Sequence, residues 1–237
     1  MELFPANQEM QKIMHPAFDI VHLDGRQILP DLAVLDRMSS GRGQHVNPKL
    51  VQIKESILAE ATQLVEPAAV WARVEAEQFS ILPERLARSF SGVKAVLGVV
   101  CTIGEKLERQ SHNYFAGQET IRGYFLDLTG TLAVANLAQK IAADLRGQYG
   151  AVHWAPGDDP SDLSLDAQRL LFEIVPIHQI GMRLTQQNVM VPMKSLSFFL
   201  VIGAHTGGMS CSIPCIQCAW NGTCDKRLQR IAGENLA

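Results

Sequence analysis

Apolar residues recur at helical spacing in some stretches of the chain and run almost unbroken in others. Leu50, Ile53, Ile57, Leu58, Ala61 and Leu64 mark one helix face. Asn47 followed by Pro48 is an N-cap with proline at the first helical position, and Pro67 ends the element. Residues 69–79 alternate: Val70, Ala72, Val74 and Ala76 against Trp71, Arg73, Glu75 and Glu77. That period of two predicts a strand. A short helix is expected over 83–90. Residues 93–102 are nearly all apolar, which predicts a central strand. Gly104 turns the chain into a helix over 105–115. A long helix follows over 119–146, with Gly147 as its stop. Gly123, Gly130, Thr131, Ala133, Ala135, Ala138, Ala142 and Ala143 make that helix slim, so it is expected to be buried. A short extended piece over 151–154 precedes a loop and a helix capped by Ser164. Residues 182–191 and 194–202 read as two strands of a hairpin, joined by Val191-Pro192-Met193.

Ahead of these elements, residues 1–42 carry Pro5, Pro16 and Pro30 and read as irregular, except for a short strand and turn over 19–25. Residues 39–43 (Ser-Ser-Gly-Arg-Gly) read as a joint. Helices and strands mix without a βαβ repeat, so the expected class is α+β.

Composition narrows the function classes. The chain has 237 residues, 47% hydrophobic and 19% charged, as in a packed domain. The net charge of −3 gives no basic face for nucleic acid. No apolar run approaches the ~20 residues that span a bilayer. Residues 1–30 show no apolar run behind a basic start, so a cytoplasmic protein is expected.

The sharpest chemistry is at the end of the chain. Four of the five cysteines, Cys211, Cys215, Cys218 and Cys224, fall within fourteen residues as C-x3-C-x2-C-x5-C. Thiols this close converge on one centre with little loop entropy to offset. Pro214, Gly222, Gly207 and Gly208 let the backbone fold around a guest. Soft thiolates select zinc, copper(I) or iron–sulfur. The tight, asymmetric packing favours an iron–sulfur cluster, of the 4Fe-4S type, over structural zinc, disulfides or idle thiols. The C-x3-C-x2-C portion also matches the spacing of radical enzymes that cleave S-adenosylmethionine, but no barrel follows it. His205 stands near as an auxiliary ligand or a solvated loop histidine. Cys101, inside an apolar run, reads as core packing, and Met190 and Met193 as core or interface filler. Asp127 sits on the buried helix and needs a partner, which either Lys194 or Arg122 supplies.

A series of segments resembles a known family. They are Thr102-Ile-Gly-Glu105, Leu126-Asp127-Leu-Thr-Gly130, Trp154-Ala-Pro-Gly157, Gln168-Arg-Leu-Leu-Phe172, Ile180-Gly-Met-Arg-Leu-Thr185, Met190-Val-Pro192 and Lys194-Ser-Leu-Ser197. Their order and spacing over 47–205 are similar to the reactivation domain of cobalamin-dependent methionine synthase. The resemblance is strongest to stand-alone relatives, some of which carry a C-terminal cysteine cluster. It implies three parts: an irregular segment over 1–46, an activation-like domain over 47–205, and a Cys-rich tail over 206–237. It implies a twisted antiparallel sheet flanked by helices, with the irregular tail appended.

The resemblance further implies an S-adenosylmethionine groove bordered by His153, Trp154, Pro156, Gly157, Asp158, Lys194 and Ser195. The implied partner is a corrinoid protein or cobalamin-dependent methyltransferase, which carries the cobalamin. The implied activity is reductive reactivation of that partner in an anaerobic cell, the electron coming from the tail cluster. The family has an Arg four residues before the Pro-Gly glycine and a Tyr directly after it. Here those positions hold His153 and Asp158. Neutral imidazole lacks the bidentate fork that guanidinium gives a carboxylate. The alternatives are a corrinoid or corrinoid-protein binding module with structural zinc, or a methyltransferase that uses S-adenosylmethionine on another acceptor.

Overall fold

The computed structural model describes residues 16–39, 47–76, 93–150, 152–154 and 165–203. Five strands form one sheet: β1 (Phe18–His22), β2 (Ala68–Glu75), β3 (Ala95–Thr102), β4 (Val152–Trp154) and β7 (Ser195–Ile202). Their order is β1-β2-β3-β7-β4 and every pairing is antiparallel. Among the described residues five α-helices accompany them: α1 (Leu32–Ser39), α2 (Pro48–Leu64), α3 (Lys106–Ala116), α4 (Thr120–Tyr149) and α5 (Leu165–Ile174). The α+β class read from the sequence is the class observed.

The centre of the sheet is buried on both faces. Leu97, Val99 and Cys101 of β3 join Ala69 and Trp71 of β2 and Phe198 and Leu200 of β7 on one side. There they meet Ile57 and Ala61 of α2, Leu107 of α3 and a stripe of α4 from Phe125 to Leu145. Val96 and Val100 of β3 face the other way. With Val70, Val74, Phe199 and Val201 they pack on Leu171 and Ile174 of α5 and on Ile180 of a 3-10 turn, Ile177–Ile180. Every residue of β3 is buried, which is why its sequence shows no alternation.

Small residues set the layer spacing. A Cβ on Gly130 of α4 would lie 2.5 Å from Leu107 Cδ2, so α3 and α4 touch through that gap. A Cβ on Gly98 of β3 would lie 2.4 Å from Leu171 Cδ1, so α5 rests directly on the strand backbone. Among the described residues no helix is long and apolar enough to cross a membrane.

Several boundaries differ from the sequence reading. The N-terminal stretch read as irregular contains α1 as well as β1. Asp31 Oδ1 accepts the Val34 N–H at 2.7 Å, capping α1 behind Pro30. Asp36 of α1 pairs with the buried Lys54 of α2, whose ammonium also lies 5.0 Å from the Phe125 ring centroid. The long helix continues past Gly147 and stops at Gly150, whose φ of 79° suits glycine. β2 ends at Glu75, short of the expected 79.

The expected hairpin of 182–191 with 194–202 does not form. Its first arm splits into β5 (Arg183–Leu184) and β6 (Met190–Val191), a separate two-stranded ribbon. Thr185 Oγ1 accepts the N–H groups of Gln187 and Val189, and Asn188 takes φ 60°. These polar residues reverse the chain. β7 pairs with β3 and β4 instead. The expected helix over 83–90 and the expected cap Ser164 lie outside the described residues.

Replacing Gly98 with Ala is expected to destabilise the protein by about 1–3 kcal/mol, because the wholly buried Leu171 has little room to yield. Urea unfolding checks this. In a Leu171→Ala background the same change is expected to cost measurably less.

Candidate functional site

Two of the groove residues read from the sequence, Lys194 and Ser195, sit where the chain bends into β7. The bend is tied to three elements. Ile103 N–H, just past β3, donates to Lys194 O at 3.2 Å, and Thr102 pairs with Ser195 in the sheet register. The Met193 N–H donates to Glu108 Oε2 of α3 at 3.0 Å. Lys194 Nζ lies 2.9 Å from Asp127 Oδ1 and donates to Thr131 Oγ1 at 2.8 Å, both on α4.

The partner of Asp127 is therefore Lys194. Arg122 lies five residues earlier on the same helix, roughly 140° around it, and faces elsewhere. It bonds Glu60 at 3.0 Å, Tyr114 at 2.9 Å and Ser56 at 3.3 Å. The Tyr114 hydroxyl, together with Glu60, raises the Arg122 pKa against the opposing pull of burial. Thr131 follows Asp127 by four residues and shares its face, so one ammonium reaches both. With two of its three donors so engaged, Lys194 acts as a clamp that holds the bend on α4.

Ser195 is buried, and its hydroxyl is the hub of the bend. Its Oγ lies 2.7 Å from Pro192 O and 2.8 Å from Thr102 Oγ1, which also accepts the Gly104 N–H at 3.2 Å. One proton per hydroxyl satisfies the set if Ser195 donates to Pro192 O and Thr102 donates to Ser195. Gly104, at φ 78°, then turns the chain toward α3.

His153 and Trp154 lie on β4, at the other end of β7. His153 pairs with Val201 and Trp154 with Leu200. Leu200 is six residues past Lys194, so the two groups stand roughly 20 Å apart along the strand. β4 runs antiparallel to β7, so the backbone at Trp154 heads toward the bend. Pro156, Gly157, Asp158, His205, Cys211, Cys215, Cys218 and Cys224 lie outside the described residues. Among the described residues, no group of three or more His, Cys, Asp or Glu side chains is placed to hold a metal.

Glu108 was not singled out by the sequence, and Thr102 and Thr131 were named there only as part of a family-like segment and as a small residue of the long helix. Thr131 carried a signal in its four-residue spacing from Asp127; Glu108 carried none. Cys101 is wholly buried in the core, as its apolar neighbours implied. Burial pushes its thiol up to about 12.

No protein-family profile matches the sequence, and no match appears among curated proteins. The chain is similar in structure to a solved MetH reactivation domain bound to AdoHcy, with a TM-score of 0.58 and 12% identity. The likeness covers 92% of this chain and 86% of that one. At that identity the likeness is one of fold alone, and the fold is like that of the solved domain.

Two measurements test this account of the bend and the core thiol. Ser195→Ala should cost about 1–3 kcal/mol in urea unfolding, since it strips two buried oxygens of a partner. Lys194→Met should cost about 1 kcal/mol or less, because Asp127 is half-exposed and water replaces the ammonium. Cys101 should resist thiol reagents until the protein unfolds. Its folded pKa is raised above the ordinary value of 9.0, so its contribution to stability is present below pH 9 and lost as pH rises from there toward 12.

Proposed function

We propose that the chain reactivates a corrinoid protein, methionine synthase or a related methyltransferase, and carries its own electron-transfer centre. Support comes first from the fold likeness, which spans nearly the whole of both chains. It comes also from the ordered segments over 102–197 that resemble the same family, and from the cysteine array at 211–224. The fold likeness carries the reading; the cysteines add the electron source.

The chemistry has two steps that balance. One electron takes the inactive cob(II) state of the partner's cobalamin to cob(I). Cob(I) then attacks the methyl group of S-adenosylmethionine, giving methylcobalamin and S-adenosylhomocysteine. The first step is uphill, and the second drains its product. The neighbour's bound AdoHcy is the by-product of such a transfer. In this chain the groove is assigned to His153, Trp154, Pro156, Gly157, Asp158, Lys194 and Ser195. The clamp of Lys194 on Asp127 and Thr131 gives the bend at one end of that groove a fixed position.

Four thiols at this spacing fit a cluster by the chemistry of the donor set, with Cys211, Cys215, Cys218 and Cys224 as ligands. Such a cluster, when bound, supplies one-electron chemistry. A second reading is favoured by His153 and Asp158, which stand where the family has Arg and Tyr. In it the chain binds a corrinoid protein without turnover and the same cysteines hold structural zinc.

Anaerobic purification with metal and sulfide analysis separates the two. The first reading expects iron and acid-labile sulfide, with visible absorption that bleaches on one-electron reduction. It also expects Cys218→Ser to abolish reactivation of a cob(II) protein. Colourless protein with one zinc supports the second reading and rejects the first. Calorimetry with S-adenosylmethionine and S-adenosylhomocysteine tests the groove separately. If neither ligand binds, a methyl-transfer role for this chain is excluded.

A further inference from the structure

The outer edge of β1 carries a pattern that fits itself. Leu23 N–H donates to Pro67 O, which extends the β1–β2 register by one pair. Bonded pairs alternate in an antiparallel ladder, so Asp19 and Val21 direct their main-chain groups toward β2. Phe18, Ile20 and His22 therefore point theirs outward. Among the described residues no strand pairs with that edge. The same alternate positions place two large apolar side chains in solvent, Phe18 at 43% exposure and Ile20 at 36%. The strand contains no lysine or proline to blunt its edge, and its one carboxylate, Asp19, lies at a position whose main-chain groups face β2.

We propose that β1 pairs antiparallel with β1 of a second copy, joining two five-stranded sheets across a two-fold axis at Ile20. Two requirements restrict the register, and overlap then selects within them. Bonding groups must meet bonding groups, and opposite residues must share a face. Centring on Phe18, Ile20 or His22 meets both, but only Ile20 pairs all five residues of the strand: Ile20 faces its own copy, and Phe18 faces His22 of the partner subunit. Up to about six main-chain hydrogen bonds form. The pairing carries Phe18 and Ile20 of both chains into one apolar stripe. No like charges face each other directly, since Asp19 is opposite Val21 of the partner subunit. The interface is small, so the dimer is reversible and depends on concentration. A second copy is the natural occupant because the five-residue strand is its own complement. The inference rests on the sheet alone and is independent of the corrinoid reading.

Sedimentation of the full chain under reductant, from about 5 to about 300 µM, tests the pairing in the concentration range of weak interfaces. Reductant removes disulfide-linked species. A monomer–dimer equilibrium is expected. Ile20→Lys and Ile20→Glu should each weaken it about tenfold or more, because each sets a like charge opposite its own copy. An equal mixture of the two variants should dimerise again. Thermal melts of both variants should stay close to that of the parent, since Ile20 is partly exposed and the β2 ladder uses other groups. A parent chain that stays monomeric throughout overturns the proposal. So does a dimer that ignores both charges, or a mixture that fails to recover while both variants remain folded.

Discussion

Everything in this structure hangs on burying β3 from both sides. Its eight residues have no exposed face, so each must meet neighbours of the right size on the sheet and on the helical layer its side chain faces. Gly98 is the position where this constraint is tightest, because α5 reaches the strand backbone there through Leu171. On the opposite face, Gly130 brings α3 and α4 together above the same sheet. A strand of this kind tolerates little change in volume, and the layers around it inherit that stiffness.

The bend at 192–195 borrows its rigidity from this arrangement. β7 is locked to β3 along all eight pairs, which brings Ser195 opposite Thr102. The helices that cover the same face contribute Glu108 from α3 and Asp127 and Thr131 from α4. The Met193 N–H and the Lys194 ammonium find acceptors on two different helices, and the Ser195 hydroxyl ties Pro192 O of the bend to Thr102 of β3. The net stabilisation from the exposed part of this set is small. Its larger effect is geometric, since it fixes one end of β7 while β4 occupies the other.

Much of the fold was legible because the signals were local. Asn47 and Pro48 announce α2, and Asn47 Oδ1 does accept the Lys49 N–H at 3.0 Å. The apolar run before Thr102 announces a central strand, and the small residues of the long helix announce its burial. Local signals also misled. Gly147 resembles a helix stop, yet the helix runs on to Gly150, which takes a positive φ. The run from 182 to 191 resembles one strand, yet Thr185 and Asn188 fold it back. Asp31 was a readable cap for α1, hidden by the proline beside it. Of the candidate site, Lys194 and Ser195 were found by family resemblance. Asp127 was already offered as a partner for Lys194, whereas the contacts with Thr131, Thr102 and Glu108 came only from the structure.

The sequence by itself determined most of the element types, though not α1 or the β5–β6 ribbon, and with them the α+β class, the buried state of β3 and α4, and the concentration of thiols at 211–224. These follow from periodicity and spacing, which are properties of neighbouring residues. The tertiary structure decided which strand β7 joins, that Lys194 rather than Arg122 neutralises Asp127, and that the β4 edge and the bend stand at opposite ends of one strand. Those outcomes depend on sheet register and on the angular phase of α4. Both are fixed by packing between segments far apart in the chain, where no local pattern reaches.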